Sequence, residues 1–351
     1  MSYRNVQAVN RSNELKTDKR RLSFITSAYG IGATLVVFGH SHPLGNDAFA
    51  NHALAFYINN FVCKFHMPLF FFIAGFLLIY GNSVQKRGYG KFLEQKAMKL
   101  LIPYFVLSLI FIVPKFFLSK TGYISDETNG GFMYIVTAIF SPRDNVWGHF
   151  WFIPTLFSLY VIGGLLTFGF ENPIVRIISL IASIFICIFQ IKCTWFSIKD
   201  ICWFLFYFVF GMVSVDFVLK YNSYMKKPLI IVIELVIGVL LFCFGNIIKN
   251  EYVASIIDIM ISVTMISCVF GISMNVTRIF DTIGRYVFPI FIMGWPIQSA
   301  VEVVFNKILH LNWYVTTITM FISGFVPILI VFVYKRTKLR CKFLDYILGV
   351  A

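Results

Sequence analysis

An all-α, polytopic membrane bundle of about ten helices, with both termini cytoplasmic, is the fold this sequence predicts. Three observations carry the prediction. Of 351 residues, 58% are hydrophobic and only 13% charged, too few polar groups to coat a water-soluble fold of that size. The apolar residues fall in runs of roughly twenty, the length a helix needs to cross hydrocarbon. Lys and Arg are shared unevenly between alternate loops.

The runs lie near 24–43, 60–80, 100–118, 149–170, 174–191, 201–219, 228–246, 253–274, 283–305 and 312–334, separated by Pro, Gly, Asn or clustered charge. The first starts at Phe24 behind a basic arm, 1–22, that carries Arg4, Arg11, Lys16, Lys19, Arg20 and Arg21. No small-residue cleavage site follows, so this run reads as a retained span rather than a signal peptide. The stretch GGFMYIVTAIF before Ser141 is too short to span and reads as re-entrant or interfacial within the 119–148 loop. The tail 335–351 opens on KRTKLRCK, a cytoplasmic anchor beside anionic lipid. No internal repeat or appended soluble domain interrupts the chain, so 1–351 is expected to form a single membrane domain.

Placing the N-terminus in the cytoplasm puts 22 of the 30 Lys and Arg on that side. Seven fall opposite: Lys115, Lys120, Arg143, Lys192, Lys199, Lys249 and Lys307, and Lys64, at the outer start of the second run, completes the thirty. The net charge of +14 therefore sets topology, and nucleic acid is not an expected partner. The seven cysteines show no ligand spacing and lie mostly in apolar segments, so neither a metal site nor a disulfide framework is expected.

Against this background a few polar residues stand out. FGHSHP, residues 38–43, ends the first run with His40 and His42. His66 enters the second run, His149 the fourth, and Asp258 the eighth, while Trp295, Gln298 and Glu302 follow in the ninth. With the stated orientation all of these fall in the outer half of the membrane. Ionisable groups at such depth face a bundle interior or a wet cavity, because lipid exposure costs several kcal/mol. Blander readings exist for each: interfacial anchoring for His42 and for His149 between Trp147 and Trp151, helix-to-helix hydrogen bonding for Glu234 and Asp258.

Four stretches taken in order carry more information: GIGATLVVFGHS at 30–41, FHMPLFFFIAGF at 65–76, KAMKLLIPYF at 96–105 and HFWFIPTLF at 149–157. FYFVFGM from Phe206 and IGRYVFPIFIMGWPI at 283–297 extend the series. Together they resemble the integral-membrane acyltransferase-3 family, in particular its sugar O-acetylases related to fucose 4-O-acetylase. The resemblance implies transfer of an acyl group, usually acetyl, from cytoplasmic acetyl-CoA to a hydroxyl of a surface polysaccharide or lipid-linked glycan. It places the family's first-span histidine on His40 as general base, with Ser41 as a structural neighbour. The family's basic motif falls on Lys96 and Lys99, and its WFL-type motif starts at Trp151. Two positions depart from the pattern: Tyr29 stands where relatives have Arg or Lys, and Gly294 where many have histidine.

The chemistry asks for matching parts. A sugar hydroxyl needs a base to take its proton as it attacks a thioester, which a neutral imidazole provides. The oxyanion needs donors, for which His66, His149 and the indoles of Trp151 and Trp295 are candidates. Trp151, Trp295, Gln298 and Glu302 are candidate acceptor contacts. The coenzyme's phosphates need cations, and the loop after the second run offers Lys86, Arg87, Lys91, Lys96 and Lys99, which positive-inside charge explains equally well. A transporter or flippase of lipid-linked glycan would use a similar polar cavity, and a non-catalytic relative in a polysaccharide-synthesis complex would keep the motifs.

Overall fold

The computed structural model describes residues 11–43, 51–120, 140–144, 148–189, 191–276, 278–337 and 341–349, with side chains left out at 11–22, 113–115 and 118–119. Among the described residues every regular element is helical. The main helices are α1 (Arg11–Gly39), α2 (Ala53–Tyr80), α3 (Tyr89–Ser119), α4 (Phe152–Leu166), α5 (Pro173–Phe189) and α6 (Ile198–Val213). They continue with α7 (Pro228–Gly245), α8 (Glu251–Asn275), α9 (Val287–Glu302), α10 (Trp313–Ser323) and α11 (Val326–Arg336). Each of the ten apolar runs coincides with one of these, α10 and α11 together forming the last. Among the described residues eight stretches are long and apolar enough to cross a membrane, and the apolar helices Ser23–Gly39 and Pro173–Phe189 are shorter. The chain is a multi-pass, all-α membrane bundle.

Boundaries move where hydropathy and helix propensity part company. Helix α2 begins at Ala53, well before 60, because Asn59 and Asn60 interrupt the apolar run without breaking the helix. Its N-cap is His52, whose Nδ1 accepts from the Ala55 N–H at 3.3 Å. Helix α3 likewise extends back through the basic stretch to Tyr89. The ninth run is divided into a short helix Arg278–Gly284, then α9, then a π-helical turn Val303–Ile308. The tenth breaks at Gly324–Phe325, and Pro327 sits in the first turn of α11, where its missing N–H leaves no hydrogen bond unmade. The expected interfacial stretch 130–140, except Phe140, and Trp147 lie outside the described residues.

Helix α2 is the centre of the bundle. In its spanning window 72% of residues are buried, against 11% in α7, which turns Leu229, Leu240 and Phe244 outward. The Phe-rich run of α2 packs on α6, Phe71 stacking on Phe204 with centroids 4.4 Å apart. Glycines let the two backbones touch: a Cβ on Gly75 would lie 1.9 Å from the Phe208 carbonyl oxygen, and one on Gly211 only 2.1 Å from that of Phe72. Helix α7 is tied on by polarity as well, since the Ser267 hydroxyl of α8 donates to Glu234.

Candidate active site

Helix α1 stops one residue before His40. The His40 N–H still donates to the Val36 carbonyl at 3.1 Å, while Ser41 N–H reaches back only to Phe38, so the last turn tightens. The turn is then clamped to α9. Gln298 Nε2 donates to the Val37 carbonyl and to Ser41 Oγ, both at 2.9 Å, and the Ser41 hydroxyl donates to Val37 as well. One turn back along α9 from Gln298 stands Trp295, which brings its ring to 5.5 Å from the His40 ring between centroids.

The other two histidines arrive from different elements. His149 lies on a 3₁₀ turn, Gly148–Trp151, that leads into α4 over the fully buried Phe150. Its ring meets Trp295 edge to face, 5.0 Å between centroids. His66 is on α2, where Nδ1 lies 3.0 Å from the Val62 carbonyl. A carbonyl only accepts, so Nδ1 carries the proton, and in the neutral ring Nε2 is left as an acceptor. That geometry suits His66 to taking a proton rather than to donating to an oxyanion.

All three imidazoles line one cavity of about 460 Å³, within the usual size of small-molecule sites. Trp151, Trp295 and Gln298 line it too. Glu302, one turn beyond Gln298 and buried, does not. Gly294 does, and a Cβ there would sit 3.2 Å from the Gly324 carbonyl oxygen, so a histidine at this position would press on the α10–α11 break. The walls also include Asp258, one of the polar residues expected at this depth, and two cations, Lys64 and Arg143, that the sequence offered only as topological charge. Lys64 Nζ pairs with Asp258 Oδ2 at 2.8 Å. Arg143 Nε lies 3.0 Å from both Asp200 carboxylate oxygens, and its guanidinium rests on the Trp151 ring at 4.4 Å. The side chains of Lys64 and Arg143 are 37% and 45% exposed, whereas His66 and His149 are each 8% exposed, so the cations form the rim and these histidines the floor.

A second, apolar cavity of about 130 Å³ adjoins the first, because Met67 and Phe291 line both. It runs along α2 to Ala74 and is lined at its far end by Leu156 and Tyr29. Tyr160 follows Leu156 by one turn on the same face of α4. Above the Tyr160 ring, at 3.7 Å, stands Lys96 Nζ. Lys99 is exposed on α3, and Arg87, on the short helix Ser83–Arg87, bonds to Gln95. Neither lines the histidine cavity.

Apolar helices closed around a buried, histidine-floored cavity define a multi-pass membrane protein whose interior is built for polar chemistry. The sequence model of the acyltransferase-3 family, described as an acyltransferase domain, matches residues 24–336. The chain belongs to that family and is a membrane acyltransferase. Neither the curated proteins nor the solved structures gave a match.

Proposed function

We propose that the protein moves an acetyl group from cytoplasmic acetyl-CoA to a hydroxyl of a surface polysaccharide or lipid-linked glycan, across the bacterial inner membrane, with His40 as general base. The observation that carries this reading is the adjacency of two different spaces. One is polar and holds three imidazoles; the other is apolar and leads from them towards Tyr29, Tyr160 and Lys96. A transfer between a charged, long-armed donor and a polyol needs both.

In this reading the coenzyme's phosphates stay by the basic face of α3, where Lys96 neutralises charge, and the arm follows the apolar cavity. Tyr29 and His40 are eleven residues apart on α1, about 16 Å at the helical rise. The acceptor hydroxyl gives its proton to a ring nitrogen of His40 as its oxygen attacks the thioester carbonyl. The negative charge passes to that carbonyl oxygen, towards which the Trp295 N–H or a ring N–H of His149 donates. Collapse breaks the carbon–sulfur bond, and the thiolate takes the proton back from His40 to leave the free thiol and the ester. Base assistance of this kind is worth about 10²–10⁴-fold.

The test uses the purified protein in nanodiscs with radiolabelled acetyl-CoA. Wild type is expected to release or transfer acetyl, and His40→Ala to lose at least a hundredfold with an unchanged elution profile. Equal rates in the two proteins would overturn the assignment, and movement of glycan without acyl-CoA would favour a flippase.

A further inference from the structure

The rim of the cavity has a composition that proton transfer does not require. Lys64 and Asp258 stand side by side on α2 and α8, and Asp258 uses one carboxylate oxygen, Oδ2, for the pair. An ammonium has three N–H donors and a carboxylate two oxygens, so the pair offers spare N–H groups next to an unused acceptor, Oδ1. Both residues line the cavity and both are reached by solvent. The pair is held from behind: Ser262 Oγ lies 2.9 Å from the Lys64 carbonyl and 2.8 Å from that of Asp258, and the Tyr207 hydroxyl donates to Ser262 at 3.3 Å. Across the rim, Arg143 is neutralised by Asp200 and spread on Trp151. Trp203, partly buried against the core, lines the same space and makes no aromatic ring contact among the described residues.

A donor and an acceptor at hydrogen-bond spacing match a vicinal diol, in which one hydroxyl gives its proton and its neighbour's oxygen receives one. An indole beside them matches the apolar face of a sugar ring. Each cation already has its carboxylate, so the rim is electrically balanced. A carboxylate on the ligand would meet Asp258 directly and would have to compete for Lys64 or Arg143 against a partner already in place.

We propose that the Lys64–Asp258 pair and Trp203 form the acceptor subsite, that it grips a vicinal diol of an uncharged sugar, and that it discriminates against uronic acids. This rests on the acyl-transfer reading, and it assigns to the rim the choice of acceptor that His40 itself does not make.

The experiment is a binding titration followed by tryptophan fluorescence on the full chain in nanodiscs. The probes are the methyl glycosides of glucose, galactose, mannose and fucose, with methyl glucuronide as the charged counterpart. At least one neutral glycoside is expected to bind, and glucuronide about tenfold more weakly or not at all. Lys64→Gln and Asp258→Asn should each weaken the neutral ligand by about tenfold, the scale of a lost charge-assisted hydrogen bond. Trp203→Phe should weaken binding less than Trp203→Ala. The double variant Lys64→Asp with Asp258→Lys keeps the helices paired, so recovered thermal stability separates misfolding from lost recognition. Binding by no neutral glycoside, glucuronide binding equal to or tighter than the best of them, or unchanged affinity in both single variants would overturn the proposal. Release or transfer of acetyl from acetyl-CoA by the wild type, measured on the same preparation, keeps the two readings apart: the absence of both sinks acyl transfer, whereas either one with a failed titration sinks only the diol subsite.

Discussion

His149 stands edge-on to the indole of Trp295, ring centroids 5.0 Å apart and planes at 77°. The same indole carries His40 at 5.5 Å. Two imidazoles far apart in sequence are thus set by one side chain of α9, and the group that spaces them also owns an N–H donor.

Trp295→Phe retains much of the aromatic packing and removes that donor. We expect kcat to fall by about a hundredfold, the lower end of the range for loss of a single oxyanion donor, with KM for acetyl-CoA unchanged. Trp295→Ala should fall further because both histidines lose their spacer. Steady-state kinetics on the two variants check this; equal kcat in Trp295→Phe and wild type would remove the indole from the transition state.

Gln298 acts on His40 from behind. Its amide fastens the last turn of α1 through Val37 and Ser41, and the residue is almost wholly buried. Gln298→Leu leaves those oxygens without its N–H groups, which should cost about 1–3 kcal/mol of stability. Thermal unfolding in nanodiscs should show a lowered midpoint, and turnover should drop with the loss of His40 placement. Gln298→Glu should do the same, since an ionised carboxylate has no N–H to give.

The sequence made the helices legible because crossing hydrocarbon demands long apolar runs, and it made His40, His66 and His149 legible because polar groups are costly there. It left Lys64 and Arg143 as topological charge and Asp258 between a cavity role and helix pairing. Each has an ordinary explanation in topology or helix pairing, and only tertiary contact shows that they share one rim. Opposite charges at Lys64 and Asp258, both within spans, were the available signal. Arg143 and Asp200 were hidden more deeply, since Arg143 lies in a loop and its partner 57 positions on opens a helix. Glu302 was drawn in as an ionisable residue in the outer half of the ninth run, yet it lies buried one turn beyond the cavity wall. The break at Gly324 escaped because hydropathy runs straight through it.

Gly294 offers a test of the packing itself. Its absent Cβ leaves room for the Gly324 carbonyl, which such an atom would meet at 3.2 Å. For Gly294→His, the residue type that the family resemblance suggests at this position, we expect a lower unfolding midpoint and no gain in turnover. Gly294→Ala should show a smaller effect of the same sign. A stable and faster Gly294→His protein would mean that α9 and the α10–α11 break are further apart than the structure has them.

Lys96 decides whether the basic face of α3 serves the donor or only the topology. Its ammonium lies over the Tyr160 ring, one turn beyond the apolar cavity. Lys96→Met should raise KM for acetyl-CoA by about tenfold, as expected for one lost charge-assisted contact, and leave kcat nearly unchanged. With acetyl-pantetheine, which lacks the coenzyme's phosphates, the variant and wild type should have the same KM. Lys96→Arg should keep most of the affinity for acetyl-CoA, because a guanidinium also binds phosphate and stacks on an aromatic ring. If the charge serves topology alone, Lys96→Met will treat both donors as wild type does and will differ only in the yield of correctly inserted protein. A penalty of equal size for both donors would point instead to a displaced Tyr160, and the phosphate contact would have to be sought elsewhere on α3.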